Sequence, residues 1–231
     1  MLEGDARRAW PTARSTAHAR DSAYSSPNVL GKCLAPGIGV TLETVAHSVE
    51  LLLDDASGQR IRDDWQLLRD AGLPSQIDNR SPTNRPHITL IAAERIDPLI
   101  DAALAPVSMR LPFSAIIGAP IVFGTGPRRT LARLVVPSTE LLSVHAQVVR
   151  LGAEHTATNG TSSVFDHCRP GAWTPHVTLA RRLGPEQIGE ALAVVDDNAV
   201  DHAAPLPVTV SGLRRWDGDA KSDHVLAGRA C

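Results

Sequence analysis

The chain has 231 residues, 43% hydrophobic and 21% charged, with a net charge of −2. That is enough chain for one large domain or two small lobes with a buried core. The near-neutral balance excludes a protein that coats nucleic acid through a general basic excess, so any nucleic-acid contact is expected to be local. Aromatics are only 3%, which leaves the core to Leu, Val, Ile and Ala.

Residues 1–40 show no sustained period and carry turn formers such as Ser25-Ser26-Pro27-Asn28. They read as a disordered N-terminal extension, with an ordered domain over 41–231. No apolar run approaches the ~20 residues of a membrane span. Cys33, Cys168 and Cys231 fit no disulfide framework or Cys-x-x-Cys site, and so suggest reduced thiols in a cytoplasmic protein. Cys168 follows His167, and the two read as loop neighbours rather than a metal pair.

"VAHSVELLLD" (45–54) predicts a largely buried strand. Residues 55–72 place Ile61, Trp65, Leu67 and Leu68 at helical spacing, with Gly72 as the stop. A polar stretch leads to the strand "HITLIAAERI". Residues 97–105 predict a short helix with Asp97 as cap and Pro98 at its first position. "MRLPFSAIIGAPIVFG" and "TLARLVVP" predict strands joined by the turn "GTGPRR". Residues 138–154 carry a Ser138 cap and an apolar stripe of Leu141, Leu142, Val144, Val148 and Val149, the clearest helix in the chain. A loop of about twenty residues follows, a length typical of functional or disordered segments. After it come the strand "HVTLARRL", a helix from Pro185, and two closing strands. The second half echoes the first. This order predicts an α+β fold of two pseudo-twofold lobes around one cleft, each a mostly antiparallel sheet with outer helices.

One pattern is written twice: "RPHITL" at 85–90 and "TPHVTL" at 174–179. In a strand, His87 and Thr89 share one face while Ile88 and Leu90 share the other; His176 and Thr178 stand likewise against Val177 and Leu179. Pro86 and Pro175 suit the first position of a strand. A single His-x-Thr is ordinarily a packed histidine with a satisfied hydrogen bond. Two copies at matching loop-to-strand junctions point to shared chemistry. One imidazole can take a proton from an attacking hydroxyl while the other protonates the departing oxygen. The threonine hydroxyls can donate to a phosphoryl group between them, and in-line phosphoryl transfer needs little else.

The doubled motif resembles the two His-x-Thr-hydrophobic signatures of the two-histidine (2H) phosphoesterase superfamily, which includes LigT-like 2′-5′ RNA ligases and cyclic nucleotide phosphodiesterases. The resemblance in element order covers roughly residues 40–231. It implies a bilobal fold with one motif strand per lobe, and metal-free, cofactor-free chemistry at 2′,3′-cyclic phosphate or 2′-5′ phosphodiester ends. It makes His87 and His176 the proton-transfer pair and Thr89 and Thr178 the phosphate binders. RNA ends or small cyclic nucleotides become the expected partners, with no membrane and no obligate protein partner.

Arg85, two before His87, is aimed toward the cleft by an extended backbone. Arg181 falls on the opposite face by strict alternation, unless a bulge redirects it. Trp173 is placed to stack on a base or to pack beneath the loop, and His47 to line the cleft or to pack. These four are the further substrate-binding candidates. Two other readings compete: a non-catalytic RNA- or nucleotide-binding module using the same cleft, and a metal-dependent hydrolase. The latter finds no His-x-His, His-Glu-x-x-His or Cys-x-x-Cys spacing.

Overall fold

A computed structural model describes residues 46–158, 160–197 and 205–228. The expected extension at 1–40, with Cys33 and Cys231, lies outside the described residues. No helix among the described residues is long and apolar enough to cross a membrane.

The chain begins with strand β1 (His47–Leu53), buried along almost its whole length. Helix α1 (Asp55–Asp70) follows at once. The Asp54 carboxylate caps it by accepting from the Ser57 N–H at 2.8 Å. Its end is a Schellman closure: Leu73 N–H reaches the Leu68 carbonyl and Gly72 N–H that of Arg69, both at 2.9 Å. Gly72 can serve there because it takes φ +74°. Strand β2 (His87–Ala93) carries the first motif.

The helix expected at 97–105 forms as two short pieces, α2 (Ile100–Ala103) and α3 (Ala105–Ser108). Pro106 has no N–H to continue the first piece into the second. Asp97 accepts from the Leu99 N–H at 2.9 Å in the turn before α2, whose N-cap position is Leu99 rather than the expected Asp97. Strands β3 (Phe113–Phe123) and β4 (Arg129–Val135) flank the "GTGPRR" turn, where Gly124 and Gly126 take φ near +90°. Helix α4 (Thr139–Gly152) starts at Ser138, whose hydroxyl accepts from the Leu141 N–H. The long loop contains a small ribbon, β5 (Ala157–Thr158) with β6 (Thr161–Ser162). Strand β7 (His176–Leu183) carries the second motif, and α5 (Pro185–Asp197), β8 (Leu206–Asp217) and β9 (Ser222–Ala227) complete the order.

Two separate sheets were expected; the strands instead join into one seven-stranded sheet, in the path β2-β1-β8-β3-β4-β7 with β9 also on β8. Every pairing in it is antiparallel. The reason is the length of β8. One of its edges pairs β1 through Val210–Trp216, while the other pairs β3 through Leu206–Val210 and then β9 through Leu213–Asp217. One strand thus serves both halves. Leu51, Ile61, Leu68, Ile88, Leu90 and Leu141 are fully buried in the core, each stabilising the fold by about 1.5–3 kcal/mol.

Helix α1 is also tied to the sheet by charge. Asp64 and Arg133 of β4 form a buried pair, Nε to Oδ2 at 2.6 Å. Removing one partner of such a pair strands the other charge. Asp64→Ala should therefore lower urea-unfolding stability by roughly 3–5 kcal/mol, and Asp64→Leu with Arg133→Met should recover most of it.

Candidate active site

The two motif strands are the two ends of the sheet path, and β2 and β7 come into contact with each other. The sheet therefore curves until its edges meet, bringing together motifs 89 residues apart in sequence. His87 and Thr89 are partly exposed while Ile88 and Leu90 are buried; Val177 and Leu179 are buried behind a partly exposed His176. Thr178 is the deepest of the four polar motif side chains, at 8% exposure.

The copies match in detail. Leu52 stands opposite His87 and Leu134 opposite His176. The register then slips by one residue after each threonine. Glu50 faces Thr89 and Val49 faces Ile91, leaving Leu90 as the extra residue; Ala132 faces Thr178 and Leu131 faces Ala180, leaving Leu179. The repeated leucine is thus a bulge in both strands, which sharpens the local twist and sets the aim of the side chains before it.

Each histidine is locked in the same way. His87 Nδ1 lies 2.7 Å from the Arg85 carbonyl, and His176 Nδ1 lies 2.7 Å from the Thr174 carbonyl. A carbonyl only accepts, so Nδ1 must carry hydrogen and Nε2 is left to exchange a proton. Burial holds His176 below the ordinary histidine range; the Thr174 hydrogen bond opposes this, and the charges of His87, Arg181 and His167 reinforce it. The Phe123 ring lies 4.5 Å from the His176 ring, centre to centre.

Two tryptophans brace the pair. Edge strands leave carbonyls without a ladder partner. Trp173 Nε1–H donates to the Thr89 carbonyl at 2.9 Å, and Trp65 Nε1–H to the Thr178 carbonyl at 3.0 Å. Each half lends its indole to the other half's threonine. Trp173 is itself clamped by His145 of α4, stacked at 3.9 Å and 4°, while His145 Nε2 bonds the Cys168 carbonyl at 2.9 Å. The other edge of β2 is covered by the loop, through an Ala93–Val164 bridge and a Phe165 N–H to Ala92 carbonyl bond of 2.9 Å.

Residues 54–221 match the family model of the 2′-5′ RNA ligase superfamily. The chain belongs to this superfamily. No curated protein matches the sequence. Similar solved structures include Usb1 of Kluyveromyces marxianus with uridine monophosphate, at 12% identity and TM-score 0.48, covering 80% of this chain and 99% of that one. Another is E. coli LigT complexed with 3′-AMP, at 14% identity and TM-score 0.47, covering 80% and 95%.

In this superfamily member the remaining candidates take distinct places. Arg85 lends its carbonyl to His87, but its guanidinium pairs with Asp223 at 3.1 Å. Arg181 is exposed. It and Arg182 together stand opposite the single residue Thr130, a bulge that breaks strict alternation, and its charge reaches His176. One face of Trp173 is taken by His145. His47 shares the core face of β1 with Val49 and Leu51, whereas Glu50 faces the motif.

His47 has contacts of 3.6 Å to Asp217 and 3.3 Å to Asp219. These three could offer donor atoms to a cation, all within 4.8 Å of one another, but Arg215 already stands 4.0 Å from Asp217. Cys168 is buried and free, its thiol pushed up by that burial. A cavity of about 480 Å³ adjoins the first motif and is lined by Arg85, Pro86, Leu52 and Arg62 among others.

Sequence reasoning missed the bracing tryptophan Trp65, the ring of Phe123 and the buried charges Glu50 and Arg214. Trp65 and Phe123 were visible only as members of a helix stripe and a strand. Glu50 was the stronger clue, an acidic residue inside an otherwise apolar run. Replacing either indole by phenylalanine keeps the bulk and removes the donor. Trp65→Phe should cost about 1–3 kcal/mol in denaturant unfolding, and Trp173→Phe less, because its site is more exposed.

Proposed function

We propose that the protein is a metal-independent phosphoesterase acting on 2′,3′-cyclic phosphate or 2′-5′ phosphodiester ends of RNA or small nucleotides. Residues 41–231 form the catalytic domain, two pseudo-twofold lobes with one motif strand each. The observation that carries the reading is the duplicated lock: two histidines whose Nδ1 atoms are each held 2.7 Å from the carbonyl two residues earlier. A packed histidine needs no such matched tautomer, whereas a proton-transfer pair does.

In the reaction one Nε2 takes a proton from the attacking water or ribose hydroxyl. The oxygen bonds to phosphorus, the opposite P–O bond breaks, and the other Nε2 protonates the departing ribose oxygen. Thr89 and Thr178 donate hydroxyl hydrogen bonds to the non-bridging phosphate oxygens, where charge builds up. Arg181 adds positive charge near the phosphate. Water as nucleophile gives hydrolysis; the 5′-hydroxyl of a second RNA end, attacking the cyclic phosphorus as the 3′-oxygen departs, gives a 2′-5′ linkage.

The test is turnover of a 2′,3′-cyclic nucleotide in EDTA across pH 5–9. Wild type should give a bell-shaped kcat/KM profile that chelation leaves intact. His87→Ala and His176→Ala should each lose roughly 10²–10⁴-fold, and Thr89→Ala or Thr178→Ala about 10²–10³-fold. Absence of turnover on both cyclic nucleotides and 2′-5′-linked dinucleotides, with measurable RNA affinity, would replace this reading by the binding module.

A further inference from the structure

The two halves agree in the proline, the histidine lock, the bulged leucine, the braced threonine carbonyl and the leucine opposite each histidine. They differ at the residue facing the threonine from the neighbouring strand. Opposite Thr89 stands Glu50, and opposite Thr178 stands Ala132. We infer that Glu50 is a positioning residue that makes the histidine pair directional, with His87 delivering the proton and His176 removing one. This rests on the phosphoesterase reading above.

Glu50 is 5% exposed, and its Oε1 lies 3.6 Å from His87 Nε2. An acid so buried must be held, and it is. Ser48 Oγ donates to Oε1 at 2.6 Å, and Arg214 Nε donates to Oε2 at 2.8 Å. Arg214 is 2% exposed and is anchored in turn on the Thr83 carbonyl at 2.7 Å and on Asp223 at 3.0 Å. Burial works to push the Glu50 carboxyl up, but the charges of His87 and Arg214 and the hydrogen bonds from Ser48 and Arg214 outweigh it, so it stays below the usual carboxylate range. A charged Glu50 is therefore the resting state.

The rings then face different surroundings. Around His87 stand Glu50 from β1, Arg214 behind it on β8, Arg85 with its charge drawn off to Asp223 of β9, and His176 from β7. Both His87 nitrogens look at acceptors, the Arg85 carbonyl and the Glu50 carboxylate. At 3.6 Å the carboxylate is an ion-pair partner, and only the doubly protonated ring carries the charge that pairs with it while Nδ1 donates to the carbonyl. His176 has the Thr174 carbonyl on Nδ1, an aromatic ring alongside, and positive neighbours in His87, Arg181 and His167. The neutral ring suits that setting and presents the Nε2 lone pair.

For a cyclic phosphate the step then balances in one direction. His176 Nε2 takes a proton from water, whose oxygen bonds to phosphorus. The in-line P–O bond to one ribose oxygen breaks, and His87 gives its proton to that oxygen. The products are a phosphomonoester and a free hydroxyl, and solvent exchange resets both rings. Arg214 compensates one side of Glu50, which limits its repulsion of the substrate phosphate.

The test is the pH–rate profile of Glu50→Gln, which keeps the shape and removes the charge. An imidazolium that loses an adjacent carboxylate gives up its proton more readily. The alkaline limb of kcat/KM should move to lower pH, so that Glu50→Gln loses rate on that side and keeps it near the acid limb. The acid limb, belonging to His176, should stay in place, and KM should change little. An unmoved alkaline limb, a uniform loss across pH, or movement of the acid limb would overturn the assignment.

If melting shows Glu50→Gln to be unfolded, the wild-type rings are followed by ¹H–¹⁵N NMR, with His87→Asn and His176→Asn to assign them. As pH rises His176 should become neutral before His87, keeping hydrogen on Nδ1; the opposite order sinks the proposal. Wild type without turnover would remove the phosphoesterase reading and this one together. A bell-shaped wild type with an unaltered Glu50→Gln would remove this one alone.

Discussion

The geometry of the site depends on one strand being long enough to pair β3 on one edge and, further along, β1 on the other. β8 runs from Leu206 to Asp217, and its ladder passes from β3 to β9 on one side while β1 pairs Val210–Trp216 on the other. If β8 ended at Val210, β3, β4 and β7 would lose their hydrogen-bonded continuity with β1 and β2. Because it does not, both halves twist as one sheet, and the accumulated right-handed twist carries its two edges together.

Edges that meet are normally a liability, since unpaired carbonyls invite foreign strands. Here that polarity is turned inward. The Thr89 and Thr178 carbonyls receive indole N–H groups across the junction, and residues 164–165 cover the outer side of β2. The same bonds that protect the edges hold each threonine in register with its histidine, so folding and site assembly draw on one set of contacts. Charge is handled in the same way. Arg214, Glu50, Asp223 and Arg85 satisfy one another beside His87, with no charge among them stranded in the interior.

Local rules made much of this legible. Alternation placed His87 and Thr89 on one face, Ser138 marked a helix start, and Gly72 marked a helix end. Those features need only neighbours in sequence. The joining of the halves into one sheet did not follow from any local pattern, because the β1 and β3 partners on the two edges of β8 lie roughly 90 to 170 residues away in sequence. Arg181 shows a smaller version of the same limit: a register slip opposite Thr130 cancels the face that strict alternation assigns. Trp173 left two readings open in the sequence, and its stacking on His145 became apparent only once α4 was placed. The outward match of the two motifs was plain, but the one residue at which their surroundings part, Glu50 against Ala132, lies on neighbouring strands and emerges only from the pairing.

The partner choice of β1 also has a consequence for synthesis. β1 is made early, yet its β8 edge begins to fill only after the chain has grown from Leu53 to Val210. At ribosomal speeds of roughly 5–20 residues per second, that leaves an apolar, Leu-rich edge waiting for about 8–30 s. During that interval β2 can already pair the opposite edge of β1, leaving the β8 edge open. Buried acids such as Glu50 would then be in place before the arginine that neutralises them exists. The sheet of the first half is therefore completed only when β8 arrives.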